Sequence, residues 1–350
     1  MKRILFLVAV VLVAANAVYA QITNCAQTLR LARSTYDQGR LHELPTLMDE
    51  CLKKSGDNSG FTKQQRVEAY QLLTLAYIYL EEPEKADETM LLLLRTDPYF
   101  KPNKDVDPAE FIALYKTFRT RPVYRLGVKF NLNSAQPNVL EFNSIANGTG
   151  KYKHQFGYSG GVAGELPLTD DVTLNAELHY ALKSFSYEFQ SKNPGETTPY
   201  ATTTGQEKQT MVSLPILVQY RIKESRFNPF LTGGFSTDYV FASDITGEEK
   251  RTKAQGIESQ TFDVTPQRQK INISLLAGAG VRLFVAGGFI VTEVKYAYGL
   301  TKVNSSSTLL ANQPLLFNYS YVDGVFKLNS LSLSIGYVQN FFNPKKLKRK

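Results

Sequence analysis

Few residues in this chain could do chemistry. Gly157-Tyr158-Ser159-Gly160-Gly161 matches the G-x-S-x-G pattern of a serine nucleophile. That pattern works on a sharp strand-to-helix turn, with an acid and a histidine arriving later in an α/β sheet. Here it falls inside a strand-like run. Gly278-Ala279-Gly280 likewise lacks the following helix that a dinucleotide site needs. His42, His154 and His179 are scattered and supply no metal-ligand cluster. A lipid-acyl hydrolase or transferase at a membrane rim would set a histidine beside a serine and a carboxylate. His179, two positions from Glu177, suits a structural hydrogen bond better, and His154 has no obvious acid partner. Neither a catalytic role nor a cofactor is expected.

The ionic inventory is larger. By strand parity Arg125, Lys129, Glu165, Glu177, Lys183, Arg221, Asp238, Arg282, Glu293 and Lys295 fall opposite the apolar faces of their segments. Charges in a narrow interior are tolerable only when paired and hydrogen-bonded. The residues therefore predict a structural ion-pair network.

Strands must position them. Eight strand-like runs cover 124–131, 155–166, 172–187, 208–222, 229–241, 270–284, 287–301 and 329–341. In the third, Val172, Leu174, Ala176, Leu178, Tyr180 and Leu182 alternate with Thr173, Asn175, Glu177, His179, Ala181 and Lys183. Long connections (132–154, 189–207, 243–270, 302–327) alternate with short ones (167–171, 223–228, 285–288). The expectation is an eight-stranded antiparallel transmembrane β-barrel over 123–342, in the outer membrane of a Gram-negative bacterium, with short periplasmic turns and long extracellular loops. Eight strands enclose a space just wide enough for side chains to fill, which predicts a plugged barrel and no diffusion pore. A soluble barrel with apolar faces around a ligand is the rival. Strand length, loop asymmetry and the number of charges it would turn to water stand against it.

Residues 1–20 read as a signal peptide: Lys2 and Arg3, an apolar run over 4–15, and Val18-Tyr19-Ala20 as the cleavage site. The run is shorter than the roughly 20 residues of a membrane span. Export removes nucleic acid from the partners that a net charge of +8 suggests. Part of that charge sits in a basic tail, 343–350, suited to anionic lipid or a periplasmic surface.

Residues 21–122 carry helical periodicity, so the fold class is α+β and multidomain, a helical repeat ahead of a barrel. The stretch 67–100 resembles one tetratricopeptide repeat: Tyr70, Leu73 and Tyr77 line its first helix, Ala86 and Met90 its second, and Pro98 closes it. A weaker copy over 25–54 turns near residue 40. Cys25 then lies almost opposite position 54, about one turn from Cys51, which in an exported chain suggests a disulfide. The alternative is two small buried residues that never meet. Helix-pair repeats offer a protein-binding surface, so a periplasmic or membrane protein partner is expected through 25–118, beside outer-membrane lipid around the barrel.

Gly157-Tyr158-Ser159-Gly160-Gly161, Leu214-Pro215-Ile216, Pro229-Phe230-Leu231-Thr232-Gly233-Gly234, Gly278-Ala279-Gly280-Val281 and Leu333-Ser334-Ile335-Gly336-Tyr337 together resemble the PorT-like family of outer-membrane β-barrels, over about 124–342. The resemblance implies a barrel architecture and, through the family's namesake, a link to type IX secretion. It implies no site. The expected function is a membrane-anchored scaffold in a secretion or envelope-assembly complex. A surface receptor or adhesin working through its outer loops is the alternative, ahead of a small-solute channel or a lipid-modifying enzyme.

Overall fold

The computed structural model describes residues 23–54, 60–141, 148–193, 196–222, 227–252, 255–285, 287–308, 310–319 and 321–347. The expected signal peptide lies outside the described residues. The chain divides into two compact units, residues 1–122 with 342–350, and residues 123–341.

The first unit is helical. Helices α1 (Thr23–Asp37) and α2 (Leu44–Lys53) are followed by α3 (Lys63–Tyr79), α4 (Pro83–Thr96) and α5 (Ala109–Lys116). Gly39, at φ +74°, makes the left-handed turn after α1. Thr62 and Gln65 close a capping box on α3, and Pro83 takes the first turn of α4, where no amide is needed. One core gathers Leu29, Leu44, Met48, Leu73 and Ala76 around a disulfide between Cys25 and Cys51, whose Cα atoms are 5.8 Å apart. A second gathers Leu75, Met90, Leu93, Phe111 and Phe118. Ala86 is buried, Tyr70 and Tyr77 are half-buried, and Pro98 stands in the turn beyond α4.

The segment set apart in the sequence as a basic tail joins this unit through its described residues. Lys346 bridges Phe118 in antiparallel register. The Leu347 amide donates to the Thr117 carbonyl (2.8 Å) and the Arg119 amide to that of Lys345 (2.9 Å). The Arg119 side chain donates to the Asn343 carbonyl (2.6 Å), Lys346 pairs with Asp87, and Tyr99 meets Phe342 edge-on at 4.8 Å. Backbone groups at 117–119 need partners, and these residues supply them.

The second unit is a closed antiparallel barrel. Its strands are β1 (Tyr124–Glu141), β2 (Gly148–Pro167), β3 (Val172–Ser191), β4 (Ala201–Arg221), β5 (Phe227–Arg251), β6 (Ile257–Asp263), β7 (Ile271–Val285), β8 (Gly288–Gly299) and β9 (Val325–Phe341). The order β4-β3-β2-β1-β9-β8-β7-β5 is closed by β4 against β5, and β6 pairs only with the far part of β5. Eight strands therefore make the closed wall, and a ninth extends one side. Both ends of the barrel chain lie at one rim, the terminal rim, where Tyr124 pairs with Phe341.

The long connections read from the sequence are corrected here. Much of 132–154, 201–207 and 243–251 continues the strands, and 257–263 is β6. The cause is an inversion of side-chain polarity along each strand. Near the terminal rim β4 turns Val212, Leu214, Ile216, Val218 and Tyr220 outward, all exposed. Farther out, its outward positions are Thr202, Thr204, Gln206, Lys208 and Thr210. On β3 the outward apolar row running to Leu182 gives way to Ser186 and Glu188, while Phe185, Tyr187 and Phe189 turn inward and are buried. The apolar-out signal fails beyond the belt although the hydrogen-bonded ladder continues.

Candidate functional site

The lumen is where the charged side chains converge, and it is filled in tiers. At the terminal rim Arg125 and Arg282 donate to one oxygen of Glu165 (3.2 and 2.9 Å), and Arg282 also reaches Gln219. Each guanidinium lies over a ring, Arg125 over Phe289 (5.5 Å) and Arg282 over Phe230 (5.1 Å). Arg221 departs from the expected network. It turns to Asp171 in the β2–β3 turn (3.0 Å), with its side chain 29 % exposed.

The next tier centres on Glu177. Lys129 pairs with it, Lys295 donates at 3.0 Å, Asn175 at 2.8 Å, and His179 Nε2 lies 2.9 Å away. Glu293 completes the group, 3.4 Å from Lys295 and 3.6 Å from Lys129. The Glu177 and Lys129 side chains are 0 and 1 % exposed. Charges this deep stay ionised only through such mutual contacts. Above them Lys183 donates to Asp238 (2.6 Å), which also accepts from Ser236 (2.9 Å).

Between these two tiers lies a cavity of about 70 Å³, lined by Asn131, Asn133, Ser159, His179, Ser213, Ser274 and other residues. It is polar and roomy enough for a few waters. Ser159 of the G-x-S-x-G run therefore shares a chamber with His179 and Glu177, but Asn131 stands between serine and histidine. Its Nδ2 donates to Ser159 Oγ (2.8 Å) and lies 3.4 Å from His179 Nδ1. The serine has no contact with a base, and the chamber is roofed. His154 is exposed on β2.

The roof is aromatic. Phe185, Phe326, Leu328, Val303 and Ala135 form a dry cluster, and Tyr187 stacks on Tyr321 with ring centroids 4.1 Å apart. A side chain at Gly205 would meet the Tyr187 ring, since an added Cβ falls 2.1 Å from its Cζ. Within this roof Arg268 donates to both oxygens of Glu207 (2.7 Å each) and pairs with Asp323. Asp323 also accepts from Tyr321 (3.0 Å), which lies 3.2 Å from the Tyr152 hydroxyl, and Glu207 accepts from Ser243 (2.8 Å) and Gln209 (2.7 Å). The cluster ties the segments carrying Arg268 and Asp323 into the barrel mouth, where α6 (Gln313–Tyr319) packs through Leu315 and Tyr319. Burial pushes the Asp323 carboxyl above the usual carboxylate range, against the pull of Arg268. Burial also disfavours the Arg268 charge, but Asp323 and Glu207 outweigh it and hold the guanidinium well above its ordinary value. Burial raises the Tyr321 phenol too.

Glu207, Arg268 and Asp323 were not legible as site residues, because each fell in an expected loop. One signal was present: Asp323 is a lone acid in the apolar run Tyr321–Phe326. The arrangement can hold loops, exclude solvent and rigidify a wall.

A family model described as an outer membrane protein β-barrel domain matches residues 121–305. No curated protein matches the chain. Among solved structures the chain is similar to Neisserial surface protein A, at 13 % identity over 62 % of this chain and 97 % of that one, with a TM-score of 0.30. It is also similar to OprG from Pseudomonas aeruginosa, at 11 % identity, 64 % and 98 % coverage and a TM-score of 0.34. Ail of Yersinia pestis, solved with the heparin analogue sucrose octasulfate, matches at 13 % identity, 61 % and 98 % coverage and a TM-score of 0.27.

Proposed function

The chain belongs to the outer membrane protein β-barrel domain family, and on that premise we propose that its barrel is an anchor, set in lipid by its apolar belt, for a helical interaction module. The terminal rim faces the periplasm. The helices of 21–122 are tetratricopeptide-like and capture a periplasmic or membrane protein partner, and the setting is a secretion or envelope-assembly complex of the kind the PorT-like motifs suggest. The protein is not an enzyme. The observation that carries this reading is the filled lumen. From Glu165 through Glu177 and Asp238 to Glu207, successive tiers of buried, paired charges and aromatic rings occupy the lumen among the described residues.

A mild-detergent pull-down from native membranes tests the proposal, comparing the full chain with a variant lacking both 25–118 and 343–350. A stoichiometric partner that vanishes with the helical unit, while the barrel still migrates as a folded species, is the expected result. A partner retained by the barrel alone refutes it. One observation favours the receptor or adhesin reading instead. The outer mouth is ordered by the Arg268 cluster, yet it displays Leu310 and Phe317, 61 and 75 % exposed.

A further inference from the structure

Three arginines at the terminal rim do more than close the lumen. Arg125, Arg221 and Arg282 line one cavity of about 40 Å³, with Gln219, Phe230 and Phe289. The cluster has acids, but Glu165, whose Oε1 is buried without a protein partner, does not line the cavity. Arg125 and Arg282 share a single oxygen of Glu165, and Arg221 holds Asp171 through Nε and Nη2 (3.2 and 3.0 Å). Asp170 and Asp171 line the cavity from an exposed turn, where water and salt screen them.

Two donors remain. Arg282 Nε and Gln219 Nε2 are buried and donate to no protein atom. A buried donor without an acceptor is expensive to keep, and both belong to side chains that line this one cavity. A group bound in this cavity must accept hydrogen bonds, tolerate three nearby cations and fit a space of a few atoms. Guanidinium groups meet carboxylate and phosphate oxygens with matched geometry.

We propose that the terminal mouth of the barrel is a binding site for a small oxyanion, a carboxylate or phosphate group. The anion takes the Arg282 and Gln219 hydrogens and lies against Arg125 and Arg221. The cavity admits the charged group and leaves the remainder of any larger ligand outside. The site belongs wholly to the barrel and does not depend on what the helical unit binds.

Isothermal titration of the full chain in detergent micelles, at constant ionic strength set with chloride, tests it. Inorganic phosphate and acetate are separate arms. Saturable binding of either supports the proposal, and the tighter arm tells phosphate from carboxylate. Arg221→Gln, at the solvent edge of the cluster, should weaken binding by about tenfold, the loss of one charge-assisted contact. Lys208→Gln, outward on the far part of β4, should leave binding unchanged. Heat-dependent gel migration checks that each variant is folded. No saturable binding in either arm overturns the site, because water then satisfies both donors. Equal weakening by Arg221→Gln and Lys208→Gln also overturns it, because the anion is then only adsorbed on surface charge.

Discussion

The same strands build two regions with opposite polarity. Near the terminal rim β4 shows Ile216 and Val218 to the outside and keeps Ser213 and Gln219 within; beyond Met211 it shows Thr204 and Lys208 outside and contributes to an interior of Phe185, Tyr187 and Phe326. Backbone pairing runs through the change, interrupted beside Thr210 and Met211 by one bulge, where Phe241 is the extra residue on β5. What differs is the solvent beyond the wall. Lipid takes apolar side chains and leaves the charges to pair in the lumen, whereas water takes the polar ones and lets aromatic rings join the paired charges of Glu207, Arg268 and Asp323 inside.

The comparison breaks most severely at Arg268, the one guanidinium shared by Glu207 and Asp323. Arg268→Met leaves two carboxylates in a dry interior and should cost about 3–5 kcal/mol. Urea unfolding would measure that loss, and limited proteolysis should find the segments around 255–270 and 301–324 newly cleavable while the belt stays resistant. Loss of the belt together with them would mean the two regions are one cooperative unit.

A matched pair on the outer face of β4 sharpens the contrast. Ile216→Lys lies in the belt and should cost about 2–4 kcal/mol in a bilayer. Thr204→Lys, six two-residue steps away on the same face and outside the belt, should stay within about 0.5 kcal/mol. Equal costs would mean that lipid extends over both positions.

The smallest effect belongs to Asp323. Asparagine there still accepts from Tyr321, so Asp323→Asn should change stability by about 1 kcal/mol or less. Its pH dependence carries the information. Burial raises the carboxyl in the folded protein. Between the ordinary value, about 3.9, and the raised one, the folded state therefore binds more protons than the unfolded state. The contribution of Asp323 is complete below that window and declines as pH rises through it. Melting temperatures at pH 4 and pH 7 should show the variant gaining on the parent protein as pH rises. The reverse trend would mean that attraction to Arg268 outweighs burial.

The alternation in Val172–Lys183 made the belt legible, since lipid outside and charge inside give a clean period of two. β1 was read as ending at Asn131 but runs to Glu141, because Ser134, Gln136 and Asn138 point outward there and Pro137 resembles a strand breaker. The Glu177 tier could be counted from parity. Its hub could not, since parity assigns a face to Lys129, Glu177, Glu293 and Lys295 but no height along the barrel. Arg268 and Asp323 are 55 positions apart, and only the packing of two connecting segments into one mouth brings them to Glu207. The tail shows the same limit: a run of lysines gives no hint that its backbone will pair with Phe118.

That pairing has a consequence for modularity. Because 342–347 completes the unit begun by 23–122, the barrel is an insertion in the helical unit, with a junction at each end. Such insertions are tolerated where the inserted domain's own ends lie close together, and the barrel's ends are paired strands, Tyr124 beside Phe341. The helical unit is therefore not finished when its five described helices have been made. Its last strand of contacts, Lys345 to Leu347, arrives only after every barrel strand has been synthesised.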